Sequence, residues 1–217
     1  MQTVADVKPT SRKARAAATR QRIVDNAHQL FLEQGYAATT MPAVAAAAGV
    51  AVQTVYFTFG TKGDLLQAVY EQVVLGPEAV PPHLMPWWPA ADDGHAIGDS
   101  VRRFVDGTAE LLARAAPLVW TVLGDETARE GYEHNEALRR AGYTDLVTAL
   151  AGKHPLRAGL TAARARDLLL VLTGPQVFVQ YTRDLGWSRD EFADWATGTV
   201  LEQVFGVSRD PGPGAAR

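Results

Sequence analysis

Three glycines, Gly35, Gly49 and Gly60, cut residues 19–60 into pieces too short for anything but small packed helices. Ahead of Gly35, the apolar residues Ile23, Ala27, Leu30 and Phe31 recur at i, i+4, i+7 and i+8. That is one face of a helix, with Thr19 placed to cap its start and glycine to end it. Thr39 or Thr40 caps a second, short helix. Pro42 sits in its first turn, where a missing N–H costs little, and Val44, Ala47 and Ala48 supply its buried side. A third short helix fits 51–57. After Gly60, Thr61 and Asp64 have the spacing of a reciprocal capping pair. The helix they open runs to about Leu75, with Leu65, Val69 and Val73 inward.

The second and third pieces have the makings of a helix-turn-helix. Two helices that cross closely need small residues at the crossing, and Ala45, Ala48 and Gly49 supply them. An apolar residue just past the turn locks the angle, and Val50 stands there. The second helix of such a pair must keep an outward face free for base edges. Charge agrees with that use. The chain is net −3, but residues 1–62 hold seven Lys and Arg against three Asp and Glu. A basic head on an acidic remainder suits a protein that lays only its head on a polyanion.

The run Phe31-Leu-Glu-Gln-Gly-Tyr-Ala-Ala-Thr-Thr-Met, then Val44-Ala-Ala-Ala-Ala-Gly-Val, then Thr54-Val-Tyr-Phe-Thr-Phe-Gly-Thr-Lys-Gly-Asp-Leu-Leu resembles the head of the tetracycline-repressor (TetR) family. Phe31, Gly35, Thr39, Thr40, Val44, Ala48, Gly49, Val50, Thr54, Tyr56, Phe59, Lys62 and Leu65 carry the match, over about a fifth of the chain. The resemblance implies an all-α fold of about nine helices: a three-helix helix-turn-helix head and a helical body for ligand binding and dimerisation. The expected division is a flexible basic arm over 1–18, the head over 19–62, the body over 63–207 and a flexible tail over 208–217.

The resemblance also assigns roles. Thr40, Tyr56 and Lys62 would contact DNA phosphates. Gln53, Thr54 and Phe57 lie on or near the exposed side of the third helix. Gln53 suits bidentate pairing with adenine, and Phe57 or Thr54 suits contact with a thymine methyl. Arg12, Lys13, Arg15 and Arg20 of the arm would follow the adjacent backbone or minor groove. The chain departs from the family where Ala51 replaces a common capping Ser, at a cost of about 1 kcal/mol. Val52 stands where a basic or polar residue is common. The recognition helix is therefore unusually apolar, and base reading leans on methyl contacts.

Residues 76–94 hold Pro77, Pro81, Pro82, Pro86 and Pro89, which predicts a loop or broken helix. The Trp87–Trp88 pair within it predicts that this segment packs on something. Further helices are expected over 97–115, 117–129, 135–151, 161–184 and 189–205, the last opened by a Ser188–Glu191 capping box. Gly174-Pro175 is expected to kink the longest. Its 168–181 stretch is apolar nearly all round, as at a subunit interface. Residues 174–188 loosely resemble the family's corner before its last helix, which implies a homodimer built on the last two helices. Such a dimer would read a palindromic operator in double-stranded DNA. Trp88, Phe104, Leu111, Trp120, Tyr132, Phe178 and Tyr181, with polar tips from His134 and Gln176, are candidates for the pocket of an unknown small-molecule effector.

Other classes fit less well. There is no cysteine, which removes thiol catalysis and Cys-based zinc sites. No apolar run reaches membrane-spanning length, so no membrane partner and a cytoplasmic place are expected. His28, His83, His95, His134 and His154 form no H-E-x-x-H motif. Glu126, Glu130 and His134 share a helical spacing but read as a solvated acidic face. No enzyme activity, metal or cofactor is expected. Activation of transcription through partner proteins stays open beside repression.

Overall fold

A computed structural model describes residues 11–76, 79–123 and 125–207. These are helical throughout apart from turns and loops. The helices are α1 (Arg12–Gln34), α2 (Met41–Ala48), α3 (Val52–Phe59), α4 (Lys62–Leu75), α5 (Ile97–Val122), α6 (Arg129–Lys153), α7 (Ala162–Leu172), α8 (Pro175–Val179) and α9 (Arg189–Val200). Short 3-10 turns occupy Pro82–Leu84 and Glu126–Ala128, and single π-helical segments follow α8 and α9. No single helix among the described residues is long and apolar enough to cross a membrane.

The chain divides into two compact units. One holds the residues up to Glu71 together with 121–128; the other holds Gln72–Trp120 and everything from Arg129 on. The expected boundary after residue 62 therefore moves. Leu65, Leu66 and Val69 in the first turns of α4 are buried, and these turns belong to the head.

In the first unit α2 packs against both α1 and α3. Ile23, Val24, Ala27 and Phe31 of α1 meet a core completed by Tyr36, Met41, Val44, Ala45, Ala48, Val55 and Phe59, all buried. Three expected devices are present. Thr40 caps α2, accepting from the Ala43 N–H at 3.2 Å. Gly49 ends α2 in the left-handed region, φ 64°. Thr61 and Asp64 exchange hydrogen bonds, each 3.1 Å, between a backbone N–H and the other's side chain.

The arm is corrected. Residues 12–18 are not loose but form the opening of α1, which starts at Arg12 with Ser11 as its cap and not Thr19. The cause is composition: Ala14, Ala16, Ala17 and Ala18, with Arg and Lys between them, are strong helix formers, and propensity carries the helix outward where no tertiary contact is needed. Residues 1–10, Pro77 and the expected tail over 208–217 lie outside the described residues.

In the second unit the helices expected over 97–115 and 117–129 are largely one, α5, which continues through Pro117 to Val122. Proline forfeits a helical hydrogen bond at a cost of about 3 kcal/mol. Ala115, Ala116, Leu118, Val119 and Val122 are buried around it, and that apolar burial offsets the loss. The helix expected from 135 starts earlier, at Arg129, and runs through Gly131. The expected 161–184 helix is broken, not kinked. Gly174 caps α8 in an extended conformation, with Pro175 at its first turn. The capping box of α9 is present, with the Ser188 N–H donating to Glu191 at 2.7 Å.

The proline-rich segment packs as the tryptophan pair predicts. Trp88 meets Phe104 edge-on at 5.6 Å and Tyr143 at 6.4 Å. Trp87 lies so close over Gly107 that a Cβ there would collide with its ring. Lys153 pairs with Asp93 and holds its carboxyl well below the usual carboxylate range, fixing the end of the segment to α6.

Candidate nucleic-acid interface

Helices α2 and α3 are bent by 111° at the Gly49 turn. This is the angle of a helix-turn-helix, and it comes from the sequence locally. Ala45 and Ala48 are buried at the crossing, Gly49 supplies the positive φ, and Val50, half-buried, donates its N–H to the Ala45 carbonyl at 3.0 Å. Beyond the turn, Val55 and Phe59 pin α3 to the core. Ala51 makes no side-chain cap.

The outward side of α3 carries Gln53, Tyr56 and Phe57. Tyr56 is 50% exposed and Phe57 93%. Thr54 is half-buried. Thr58 spends its hydroxyl on the Thr54 carbonyl at 2.7 Å. Thr40 is exposed; its oxygen accepts from Ala43, so its O–H is still available to donate. Arg12, Lys13 and Arg15 are exposed on the first turns of α1. Arg20 lies with its guanidinium 5.0 Å above the Phe59 ring, a contact within the head.

Lys62 is the residue whose surroundings the sequence describes least. Its Nζ donates to the Ala37 carbonyl at 3.2 Å and sits 4.1 Å from the centre of the Tyr36 ring. Burial pushes its pKa down, against the pull of Asp125. Burial pushes the Tyr36 phenol up, while its hydrogen bond to Thr127 pulls the other way. Segment 121–128 thus belongs to the head through Tyr36 and Lys62, although nothing in the sequence near Lys62 signals Asp125 or Thr127. The role of Thr39 also escapes sequence reasoning. It is buried and donates to the Gly35 carbonyl at 2.9 Å, closing the end of α1 and leaving the cap of α2 to its neighbour.

Residues 23–69 match the family model for bacterial regulatory proteins of the tetR family. This stretch is similar to the N-terminal domain of that family. A curated relative is the HTH-type transcriptional regulator AcrR of Shigella flexneri, 41% identical over 59 residues. The match covers 27% of this chain and 27% of AcrR, so it spans little more than a quarter of that relative's length. Among solved structures, NalD of Pseudomonas aeruginosa, described as the secondary repressor of the MexAB-OprM multidrug efflux pump, superposes with a TM-score of 0.68. It is 23% identical, over 90% of this chain and 98% of NalD. FadR of Bacillus subtilis, solved in complex with stearoyl-CoA, gives a TM-score of 0.65 at 16% identity, over 84% and 98%. At such identities these two establish the fold alone.

Several of the residues expected to line an effector pocket pack against other side chains. Trp88 and Phe104 belong to the cluster with Trp87 and Tyr143. Phe178 packs on Phe192 at 5.0 Å, and Tyr181 stacks on Trp195 at 4.4 Å. Trp120 is exposed beneath the Arg183 guanidinium, 4.4 Å away. Tyr132 accepts from Gln176 at 3.0 Å, Leu111 is half-buried and His134 is exposed. Gln176 borders a cleft of about 440 Å³, shared with Glu136, Arg139, Arg140, Asp167, Leu170, Val171 and Val177. Its charges are internally paired, Arg139 with Glu136 at 2.8 Å and Arg140 with Asp167 at 3.4 Å. Among the described residues no group of three or more His, Asp or Glu side chains is placed to hold a metal ion.

Proposed function

We propose that this chain is a sequence-specific, DNA-binding transcription regulator of the tetR family, a homodimeric repressor released from a palindromic operator by a small-molecule effector. The outward face of α3 carries the reading. It is a short helix held at 111° to its neighbour, with Gln53, Tyr56 and Phe57 free on it. A helix so presented fits the major groove. Tyr56 and Thr40 have hydroxyls to donate to phosphates, and Arg12, Lys13 and Arg15 add charge beside them. Lys62 keeps two of its three N–H donors beyond the bond to Ala37 and can hold a phosphate while bracing the head.

One short helix reads few base pairs, so a single head discriminates poorly. Two heads about 34–36 Å apart read successive major-groove turns of a palindrome. An effector that prefers a body conformation with a different head spacing lowers operator affinity by no more than its own difference in affinity for the two states. NalD is described as an efflux-pump repressor and a FadR was solved with stearoyl-CoA, which supports repression and an effector with a long apolar segment here. Access to the operator puts the protein in the cytoplasm.

The test is binding to the DNA flanking the chain's own gene over a salt series, for the native chain and for Tyr56→Phe with Lys13→Ala. Both residues are exposed, so the head stays folded. Tight native binding that falls steeply with salt is expected, with a log–log slope shallower by about 1 for each phosphate that the variant no longer neutralises. If a random-sequence selection also enriched no duplex, the DNA-binding reading would be wrong. A panel of acyl-CoAs and apolar drugs that left operator affinity unchanged would remove the effector half alone.

A further inference from the structure

We infer that the base pairs read by α3 are A·T, with an adenine held by Gln53 and a thymine 5-methyl group seated against Phe57. This rests on the reading of the head as a DNA-binding domain. Phe57 is the starting observation. The six other phenylalanines of the chain, Phe31, Phe59, Phe104, Phe178, Phe192 and Phe205, are all 7% exposed or less, whereas Phe57 is 93% exposed. A phenylalanine left in water by a protein that buries its six others is informative. It stands on the face of the helix that the 111° bend turns outward.

The chemistry of the neighbouring side chains narrows what that face can recognise. Guanine is read in the major groove chiefly through its O6 and N7 acceptors by Arg or Lys, and cytosine through its N4 donor by Asp or Glu. Residues 51–61 contain none of these four residue types. The Thr58 hydroxyl is already donated to a backbone carbonyl, and Thr54 is half-buried. Gln53 is exposed, makes no hydrogen bond within the described residues, and offers the donor–acceptor pair that matches adenine N7 and N6. Phe57 has no polar atom, and the apolar group on a major-groove base edge is the thymine methyl.

Gln53 and Phe57 are four residues apart, on one face of α3 and about 6 Å apart along its axis. With base pairs stacked about 3.4 Å apart, the two contacts fall one to two base pairs from each other. Between Thr54 and Phe57 as partners for a methyl group, which the sequence leaves open, exposure selects Phe57.

The experiment uses the full chain and the duplex it enriches from a random pool. Half-sites with an A·T core are expected. Replacing the contacted thymine by deoxyuridine removes one methyl group and leaves base pairing intact. We expect that replacement to weaken binding about fourfold, the effect of one buried methyl group. Phe57→Ala should bind more weakly and no longer distinguish thymine from uracil, while Phe57→Leu keeps part of the distinction. At the same position, 5-methylcytosine should bind better than cytosine. Guanine-dominated half-sites, uracil tolerated at every thymine, or a thymine preference that survives Phe57→Ala overturns this inference and leaves DNA binding standing. A pool that enriches nothing overturns both.

Discussion

His28 lies on α1 with its Nε2 buried and without a hydrogen-bond partner. Burial pushes its pKa below the ordinary 6.5, against the pull of Asp25. In the unfolded chain the imidazole titrates normally, so below about pH 6.5 the unfolded state binds more protons than the folded one. The contribution of His28 to stability is therefore constant above that pH and is lost as the pH falls below it. Thermal melts of the native chain and of His28→Leu should diverge below that pH and run parallel above it; parallel curves at the acid end would remove His28 as the cause. Gly107 is a second residue whose role is purely steric. Gly107→Ala places a methyl group against Trp87, and overpacking of this kind costs roughly 1–3 kcal/mol. A lowered melting temperature with altered tryptophan emission is expected, and an unchanged melt would mean that the Trp87 contact is loose. Neither the role of Gly107 nor the partners of Lys62 are legible in the sequence. Each depends on a residue far away in the chain, and local patterns carry no trace of it.

At the scale of elements, what the sequence reveals depends on whether the signal is local. Gly49, the Thr40 cap, the Thr61–Asp64 pair and the Ser188–Glu191 box act within three or four residues, and the structure has each where the spacing puts it. The start of α1 and the course of α5 come out differently because helix propensity and burial outweigh the single residues Thr19 and Pro117 that would otherwise mark a boundary. The aromatic side chains of the body carry the same lesson. Aromatic residues at helical spacing do not reveal whether they meet each other or enclose a space, and here most of them meet. The third helix offers a direct test of local reasoning. Ala51 precedes α3 with φ −67° and ψ 145°, the extended geometry of a capping residue, but has no oxygen to offer. Ala51→Ser should stabilise the chain by about 0.5–1 kcal/mol, seen as a raised melting temperature with operator selectivity unchanged. A neutral or destabilising result would show that the first turn of α3 needs no further acceptor.

The whole molecule pairs a basic head with an acidic remainder, which favours DNA contact through the head and repels it elsewhere. Repulsion alone does not set two heads at a fixed separation; a protein contact between copies must do that. On the proposed dimer the contact falls to the last helices, and α7 has the residue to test it. Its Leu169 and Leu170 are buried within the chain, but Val171 is 61% exposed, with Leu168 and Leu172 half-buried beside it. Leaving such a side chain in water forgoes roughly 1.5–3 kcal/mol that burial would provide. Val171→Glu adds a charge that a dry interface cannot solvate, while in a monomer it stays in water at little cost. Sedimentation should then show a monomer where the native chain is a dimer. Operator affinity should fall by at least about tenfold, the equivalent of about 1.4 kcal/mol, and binding to a single half-site should be unchanged because the head is untouched. A dimer that survives Val171→Glu would place the contact on another face, and loss of half-site binding as well would mean that the substitution had disturbed the fold.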